Sequence, residues 1–380
     1  MILSSLGVAG LGLGLANLAL GAAVAAPTYQ LVDNYDASNF FSSFDFFTAR
    51  DPTNGFVQYI DQKTATARGL ASRPHGAVYL GVDAVNKTTS GRASVRLTSK
   101  KAYTRGLFIA DIEHMPAGIG PGGSCGLWPA FWSFGPGWPN SGEIDILEGV
   151  HGELHNTVTL HTGAGCVVPC TGDAVESTQL LRADCFGHMG CTQKTRVPGS
   201  YGAGFNAVGG GVYALEWTDQ AIRVWFFPRG SEKANELSSS SASASFGDDI
   251  PNAHTNTTTS SSSSSSSFCN SYDDDDDIDN LTRQSRFQNT APNPSTFGRP
   301  IAAFLASPTC SFADHFKEHN LVFDTTFCGD WAGAVWADAD GGMCLRAAAG
   351  KSCQEYVGQN PRAFMEAYWL IRSIKVYQLM

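Results

Sequence analysis

The chain has 380 residues, of which 41 are Gly, 11% are aromatic and only 16% are charged. This composition favours a globular chain of β-strands over a helical or disordered one. The net charge is −10, and the run Asp273–Asp277 supplies a large part of it. Because no Lys/Arg cluster is present to neutralise phosphates, we expect no nucleic-acid partner.

The first residues, from Met1 to about Ala25, are almost entirely Leu, Ala, Gly and Val. They end in Ala23-Val24-Ala25, a small-x-small pattern that a signal peptidase accepts. Segment 1–25 is therefore predicted to be a signal peptide rather than a membrane anchor, and residues 26–380 the mature chain. We expect a secreted protein, extracellular or associated with a cell wall, that does not contact the membrane after cleavage of the leader.

The chain after the leader consists of short apolar or alternating segments separated by Gly, Pro and Asn, a pattern typical of β-strands. The predicted strands are Ala93–Leu97, Leu107–Ile112, Val158–His161, the arms of a hairpin at Val212–Trp217 and Ile222–Phe227, and Ala367–Tyr377. Many short strands at regular spacing indicate an all-β sandwich or jelly roll.

One segment, at about 238–288, departs from this pattern because it contains the runs Ser260–Ser267 and Asp273–Asp277 and few large apolar residues. Such a segment cannot bury enough surface to offset the loss of chain entropy, so we expect it to be disordered. The apolar composition returns at Pro300–Phe304. The sequence therefore predicts a single domain with one insertion, which is either a real loop or a translated intron.

Ten cysteines fit an oxidising compartment, in which we expect them to form disulfides whose pairing the sequence leaves open. They are not arranged in CxxC pairs, so we predict no zinc site. Asn86, Asn256 and Asn280 each begin an N-x-Ser/Thr sequon and are candidate glycosylation sites.

The strongest functional pattern is the segment Glu143-Ile-Asp145-Ile-Leu-Glu148. On a regular strand Glu143 and Asp145 share one face, whereas Glu148 points to the other. A β-bulge at Ile146-Leu147 would return Glu148 to the acidic face, and bulges are common beside active sites. The motif alone is weak, because an acidic solvated strand or a calcium site could carry the same residues.

Three neighbouring carboxyls cannot all ionise freely, so their pKa values must separate. Glycoside hydrolysis needs two different pKa values, because one carboxylate attacks the anomeric carbon while a protonated carboxyl donates its proton to the leaving oxygen. Two acids on one strand favour the spacing of roughly 5–5.5 Å that retaining enzymes use. Trp132 and Trp138, just before the acids, are predicted to stack on sugar rings, and Trp128 is predicted to lie in the core.

The segments Trp128-Pro-Ala-Phe-Trp132 and Gly142–Glu148 resemble glycoside hydrolase family 16, specifically the fungal laminarinase-like endo-1,3(4)-β-glucanases. Similar blocks cover nearly all of the chain outside the leader and the insertion. The resemblance implies a jelly-roll sandwich of two antiparallel sheets with a concave substrate cleft. It also implies Glu143 as nucleophile, Asp145 as its assistant and Glu148 as acid/base, with His161 and Trp331 lining the cleft.

The leading interpretation is an endo-acting retaining hydrolase of β-1,3 or mixed β-1,3/1,4 glucan, active as a monomer and without a metal or organic cofactor. A cell-wall glucan transglycosylase, which would pass the same intermediate to a sugar, is the alternative within the enzymes. A non-catalytic glucan-binding lectin is the alternative from another class, and it would not need Glu143, Asp145 and Glu148 together.

Deletion of residues 239–288, with the ends joined by a few residues, is expected to preserve both the fold and the activity. The closure entropy of a loop changes by only roughly 0.6 kcal/mol per doubling of its length. Thermal unfolding and glucan turnover of the shortened chain check this expectation. Unfolding of the shortened chain, or a loss of activity in a folded one, would show that the tract packs on the core or the cleft.

Overall fold

The computed structural model describes residues 28–119, 123–169, 177–239, 291–338 and 341–380. The leader, most of the insertion, the sequons at Asn256 and Asn280, and Cys170 and Cys269 lie outside these residues. Asn86 is exposed in a loop, where it stays a glycosylation candidate.

Among the residues described, most regular structure is β-strand. The strands are β1 (Tyr29–Asp36), β2 (Phe44–Phe46), β3 (Val57–Tyr59), β4 (Ala71–Ser72), β5 (Val78–Gly81), β6 (Arg92–Ser94), β7 (Leu97–Tyr103), β8 (Gly106–His114), β9 (Leu127–Phe134), β10 (Glu143–Glu148), β11 (Thr157–His161), β12 (Thr178–Arg182), β13 (Cys191–Thr195), β14 (Gly211–Trp217), β15 (Ala221–Pro228), β16 (Ala302–Leu305), β17 (His319–Phe327) and β18 (Tyr368–Leu379). The helices are α1 (Phe40–Ser43), α2 (Gln62–Ala67), α3 (Gly202–Ala207), α4 (Glu232–Ser239), α5 (Phe312–His315), α6 (Met343–Ala347) and α7 (Cys353–Gln359).

Two antiparallel sheets form the sandwich, which confirms the predicted jelly roll. The first sheet has the order β16-β15-β14-β8-β18-β5-β4, with β1 added to β18, and we call it the outer sheet. The second has the order β12-β13-β11-β10-β9-β17-β7-β2, and we call it the site sheet because it contains Glu143–Glu148. Strands β3 and β6 form a separate parallel pair.

The main core lies between the two sheets, where alternate residues of the strands meet. From the site sheet, Phe131 stacks on Phe323 with ring centroids 4.3 Å apart, and Ile144 and Leu160 are fully buried beside them. Because side chains alternate along a strand, burial of these residues leaves their neighbours on the opposite face of the site sheet.

The predicted hairpin is confirmed, since Val212 pairs with Phe227 and Trp217 with Ile222. The last predicted strand is also confirmed, and it extends to Leu379 at the centre of the outer sheet. The strand predicted at Ala93–Leu97 is wrong as one element. The chain leaves the pair with β3 after Ser94 and joins the site sheet at Leu97, so two separate strands share that segment.

Four disulfides join the described cysteines, as expected: Cys125–Cys344, Cys166–Cys310, Cys185–Cys191 and Cys328–Cys353. The first joins the chain just before β9 to helix α6, and the last joins the residue after β17 to helix α7, around a second apolar cluster. Among the described residues no helix has the length and apolar character that a membrane span requires.

The boundary predicted at about residue 238 falls within helix α4. Ser238 and Ser239 complete helix α4, and Leu237 is buried against the outer sheet. The ammonium of buried Lys375 donates to the carbonyls of Leu237 and Ser238, at 3.1 and 2.9 Å. Both bonds tie the last turn of α4 to strand β18.

Candidate active site

Strand β10 contains the bulge that the acidic motif requires. Asp145 pairs with Trp132 of β9, but the next residue of β9, Phe131, pairs with Leu147, so Ile146 is the extra residue. On the other side, Asp145 pairs with Thr159 and Glu148 with Thr157. Ile144, Ile146 and Leu147 all point into the core, and the three acids share the opposite face. The bulge prediction is confirmed.

A buried amide holds this bulge, and the sequence offered no signal for it. The side chain of Asn156, which is fully buried, donates to the Ile146 carbonyl at 2.8 Å and accepts from the Glu148 N–H at 2.9 Å. A bulge leaves backbone groups of the longer strand without a ladder partner, and buried groups of this kind must be paired. Asn156 therefore stabilises the turn of the strand that brings Glu148 to the acidic face.

The three carboxyls are largely buried, with Asp145 2% and Glu148 9% exposed. His161 lies directly across the ladder from Glu143. Its Nε2 is 3.1 Å from Asp145 Oδ2 and 3.8 Å from Glu143 Oε1, and its Nδ1 donates to the Gly187 carbonyl at 2.8 Å. The structure thus places His161 among the acids, as the resemblance implied.

The protonation of these groups follows from their burial and mutual charges. Burial lowers the pKa of His161, but its contact with Asp145 and the charges of Asp145 and Glu143 prevail and raise it to about 10. Burial, followed by the charge of Asp145, raises the pKa of Glu148 well above its usual range. The same two causes raise the pKa of Glu143 to about 8, opposed by the His161 cation and the Trp138 indole.

The environments of the two glutamates therefore differ. The His161 imidazolium lies in ion-pair range of Glu143. The Trp138 indole also favours the Glu143 anion, although its N–H makes no hydrogen bond of ordinary geometry with any residue that the structure describes. Glu148 accepts a hydrogen bond from the neutral Trp128 indole, whereas Glu143 lies beside a full positive charge. The first proton that the pair releases therefore leaves Glu143 ionised and Glu148 protonated.

Trp128 is not a core residue, contrary to the sequence prediction. It is half-buried on the acidic face, and its indole Nε1 donates to Glu148 Oε1 at 2.8 Å. Trp331 meets it edge to face, with ring centroids 5.7 Å apart. The alternation of β9 explains the position, since Trp128 is two residues from Ala130, which pairs with Glu148.

Trp132 and Trp138 are also half-buried near the acids. The Arg96 guanidinium lies 4.9 Å over the Trp132 ring, and its Nη1 is 3.9 Å from Asp324 Oδ2. Burial raises the pKa of Asp324 to about 6, opposed by the Arg96 charge, and Tyr59 donates to the carboxyl at 3.0 Å. Arg96 and Asp324 were not predicted from the sequence, although a charged residue inside each apolar strand segment was a usable signal.

Glu143, Asp145 and His161 are also arranged such that a metal ion could bind, since one ligand atom of each lies within 4.8 Å of the others. An ion would need the lone pair of His161 Nε2, because Nδ1 already donates to Gly187. Protonation of that nitrogen, which Asp145 and Glu143 favour by raising its pKa, competes with metal binding at neutral pH.

Replacement of His161 by Asn is expected to destabilise the fold by about 2 kcal/mol near pH 6.5, the range of a hydrogen bond to a charged group. The pKa of His161 in the fold, about 10, exceeds its usual value, so its stabilisation is complete below pH of about 6.5 and is lost as pH rises through 10. Denaturant unfolding at several pH values measures the difference between the two proteins. The matched control is His75→Asn, at an exposed position with positive φ that Asn tolerates. A His161→Asn difference that does not shrink with rising pH would contradict the ion pair.

Comparison with known proteins agrees with this geometry. A family model of XgeA-like catalytic GH16 domains matches residues 44–272 and 282–377. A "probable endo-1,3(4)-beta-glucanase" of Aspergillus fumigatus is 40% identical over 358 residues, which are 92% of this chain and 46% of that protein. The endo-1,3(4)-beta-glucanase xgeA of Emericella nidulans is 37% identical over 94% of this chain and 49% of its own length. The chain thus spans about half the length of these curated relatives.

Solved structures of similar fold include laminarinase 16A from Phanerochaete chrysosporium, with β-glucans in its donor and acceptor sites. It is 34% identical with a TM-score of 0.72, over 92% of this chain and 100% of that one. An elongating GH family 16 β-1,3-glucosyltransferase is 36% identical with a TM-score of 0.71, over the same shares. With a family model and relatives that match most of its length, the chain belongs to glycoside hydrolase family 16, as an XgeA-like catalytic domain.

Proposed function

We propose that the chain is the catalytic domain of a secreted, endo-acting retaining glycosidase that cleaves β-1,3 or mixed β-1,3/1,4 glucan. The observation that carries the proposal is the bulged strand β10, which brings Glu143, Asp145 and Glu148 to one face in unequal environments. The names of the relatives, endo-1,3(4)-beta-glucanases, support glucan as the substrate. The four disulfides support an oxidising, exported destination.

In this proposal Glu143 is the nucleophile. Its carboxylate attacks the anomeric carbon from the face opposite the leaving sugar, while the Glu148 carboxyl gives its proton to the leaving oxygen. The products of this step are a covalent glycosyl-enzyme and a Glu148 carboxylate. Glu148 then takes a proton from water, which attacks the same carbon and restores Glu143 with net retention of configuration.

Asp145 and His161 tune the nucleophile without bonding to the sugar carbon. The imidazolium of His161 balances the charge of Asp145, so the Asp145 carboxylate can stay beside Glu143 without preventing its ionisation. We further propose that Trp132, Trp138 and Trp331, all half-buried around the acids, stack on the apolar faces of sugar rings.

A glucan transglycosylase is the second candidate, supported by the similarity to the elongating β-1,3-glucosyltransferase. It would use the same first step and intercept the intermediate with a sugar hydroxyl in place of water. Incubation with laminarin, lichenan and cellulose, followed by sizing of the products, separates the two. If all products are shorter than the substrate, the result supports hydrolysis. Products longer than the substrate support transfer, and binding without turnover would favour a lectin.

Substitution of Glu143 or Glu148 by Gln is expected to lower kcat by several orders of magnitude, because each change removes a group that takes part in bond breaking. Azide should rescue Glu143→Gly with an α-glycosyl azide, since it attacks directly from the opposite face. It should rescue Glu148→Ala with a β-glycosyl azide, formed from the covalent intermediate. NMR of the products identifies the anomers, Glu232→Gln at an exposed site is the control, and the opposite pairing would exchange the two roles.

Substitution of Trp128 by Phe is expected to move the basic limb of the pH–rate profile up by about one pH unit. The indole N–H donates to the Glu148 carboxylate and lowers its pKa, so loss of the bond raises that pKa further. The acid limb, which reports ionisation of Glu143, should stay in place. A profile of kcat/KM against pH provides the measurement, and a basic limb that moves down would refute Glu148 as the acid.

A further inference from the structure

A disulfide-closed loop lies beside His161. Cys185 and Cys191 are bonded across a separation of 6 residues, and Cys191 begins strand β13, where it pairs with Leu160 of β11. At the other end of the loop, Thr162 N–H donates to the Cys185 carbonyl at 2.8 Å, and Gly187 N–H donates to the Thr162 carbonyl at 3.0 Å. The loop is therefore held against the residues on both sides of His161.

Two glycines of this loop contact the imidazole. The Gly187 carbonyl accepts the Nδ1 proton of His161 at 2.8 Å. Gly190 has φ of +58°, and a Cβ added there would lie 2.9 Å from His161 Cε1 and 2.6 Å from the Leu160 carbonyl. Real Cβ atoms essentially never approach so closely, so only Gly lets the loop close over the ring.

The opposite edge of the ring faces the acids of β10. His161 Nε2 is 3.1 Å from Asp145 and 3.8 Å from Glu143, and Glu148 is the remaining titratable group of that strand. From the loop, the only nearby titratable side chain among the described residues is His188, whose ring lies 4.7 Å from that of Trp138. The imidazole is thus fixed on one side by loop backbone and on the other by carboxylates.

We propose that the Cys185–Cys191 loop is a positioning element for His161, which it holds in ion-pair range of Asp145 and Glu143 and thereby sets the pH at which Glu143 becomes an effective nucleophile. The inference rests on the proposed function for its kinetic consequence only. Its structural part, the control of His161 by the loop, is independent of any activity.

Release of the loop has a definite electrostatic consequence. Without the Gly187 acceptor and the cover of Gly190, the imidazole can turn away from the carboxylates and lose its proton at lower pH. Loss of the cation then makes the Glu143 anion less stable, so a higher pH is needed to ionise it. The acid limb of the pH–rate profile therefore moves to higher pH. At pH values below this limb kcat falls, with little change in KM.

The experiment removes the disulfide with the double variant Cys185→Ala/Cys191→Ala and follows the His161 imidazole by NMR titration. The expected result is a fall of its titration midpoint by about one pH unit, together with a rise of similar size in the acid limb. At a pH below the limb, that rise corresponds to about a tenfold loss of kcat/KM on laminarin.

A second variant, Gly190→Ala, perturbs the same contact while the disulfide stays intact, and it covers the case in which the double variant does not fold. Its matched control is Gly69→Ala, where φ is +69° but no atom lies within 4 Å of the added Cβ. Both place a Cβ at a positive φ, but only Gly190→Ala also places it against Leu160, Thr159 and His161, so its shift is assigned to His161 by the combination with His161→Asn.

Combination of each loop variant with His161→Asn separates positioning from general damage. If the loop acts through His161, the loop variants cause no additional shift of the acid limb once His161 is replaced. An equal shift in both backgrounds, or folded variants with an unchanged His161 titration, would overturn the proposal. A wild-type chain that does not turn over glucan would instead refute the proposed function, while the NMR titration would still decide the role of the loop.

Discussion

The extra residue in strand β10 is the constraint on which the site depends. A regular strand would direct Glu148 into the core beside Ile144, and its charge would be buried without a partner. Because of the bulge, Ile146 and Leu147 both point into the core, and Glu148 lies on the same face as Glu143. The cost of the bulge is two backbone groups without ladder partners, and the side chain of Asn156 pairs with both. The backbone geometry of the bulge thus sets the positions of the carboxyls proposed to be catalytic.

Burial of three carboxyls on one face would be unfavourable without compensation. The structure offsets it by a cation at one end and an indole N–H at the other, with His161 beside Asp145 and Glu143 and Trp128 bonded to Glu148. This asymmetry separates the protonation of the two glutamates. It also gives the surroundings of His161, including the disulfide-closed loop, a role in the chemistry proposed for the neighbouring strand.

The aromatic residues of the site come from three different parts of the chain. Trp128 and Trp132 belong to β9, Trp138 to the segment that follows it, and Trp331 to the turn after β17. Pairing of β9 with β17 brings Trp128 opposite Thr326, close to the turn that carries Trp331. The disulfides at Cys125 and Cys328 attach the same two strand ends to the C-terminal helices. The cross-links therefore stabilise the region in which the edge-to-face pair of indoles lies.

The sequence by itself determined the fold class, the terminal strand, the hairpin, the acidic motif and its bulge, because these depend on local alternation and on neighbours along the chain. Only the tertiary structure decided which side chains of different strands contact each other. The sequence could not show that Asn156 holds the bulge, that Trp128 faces Glu148, or that Arg96 and Asp324 meet at Trp132. These contacts follow from ladder register and sheet order, which join residues far apart along the chain, and register is set by packing of the whole sandwich.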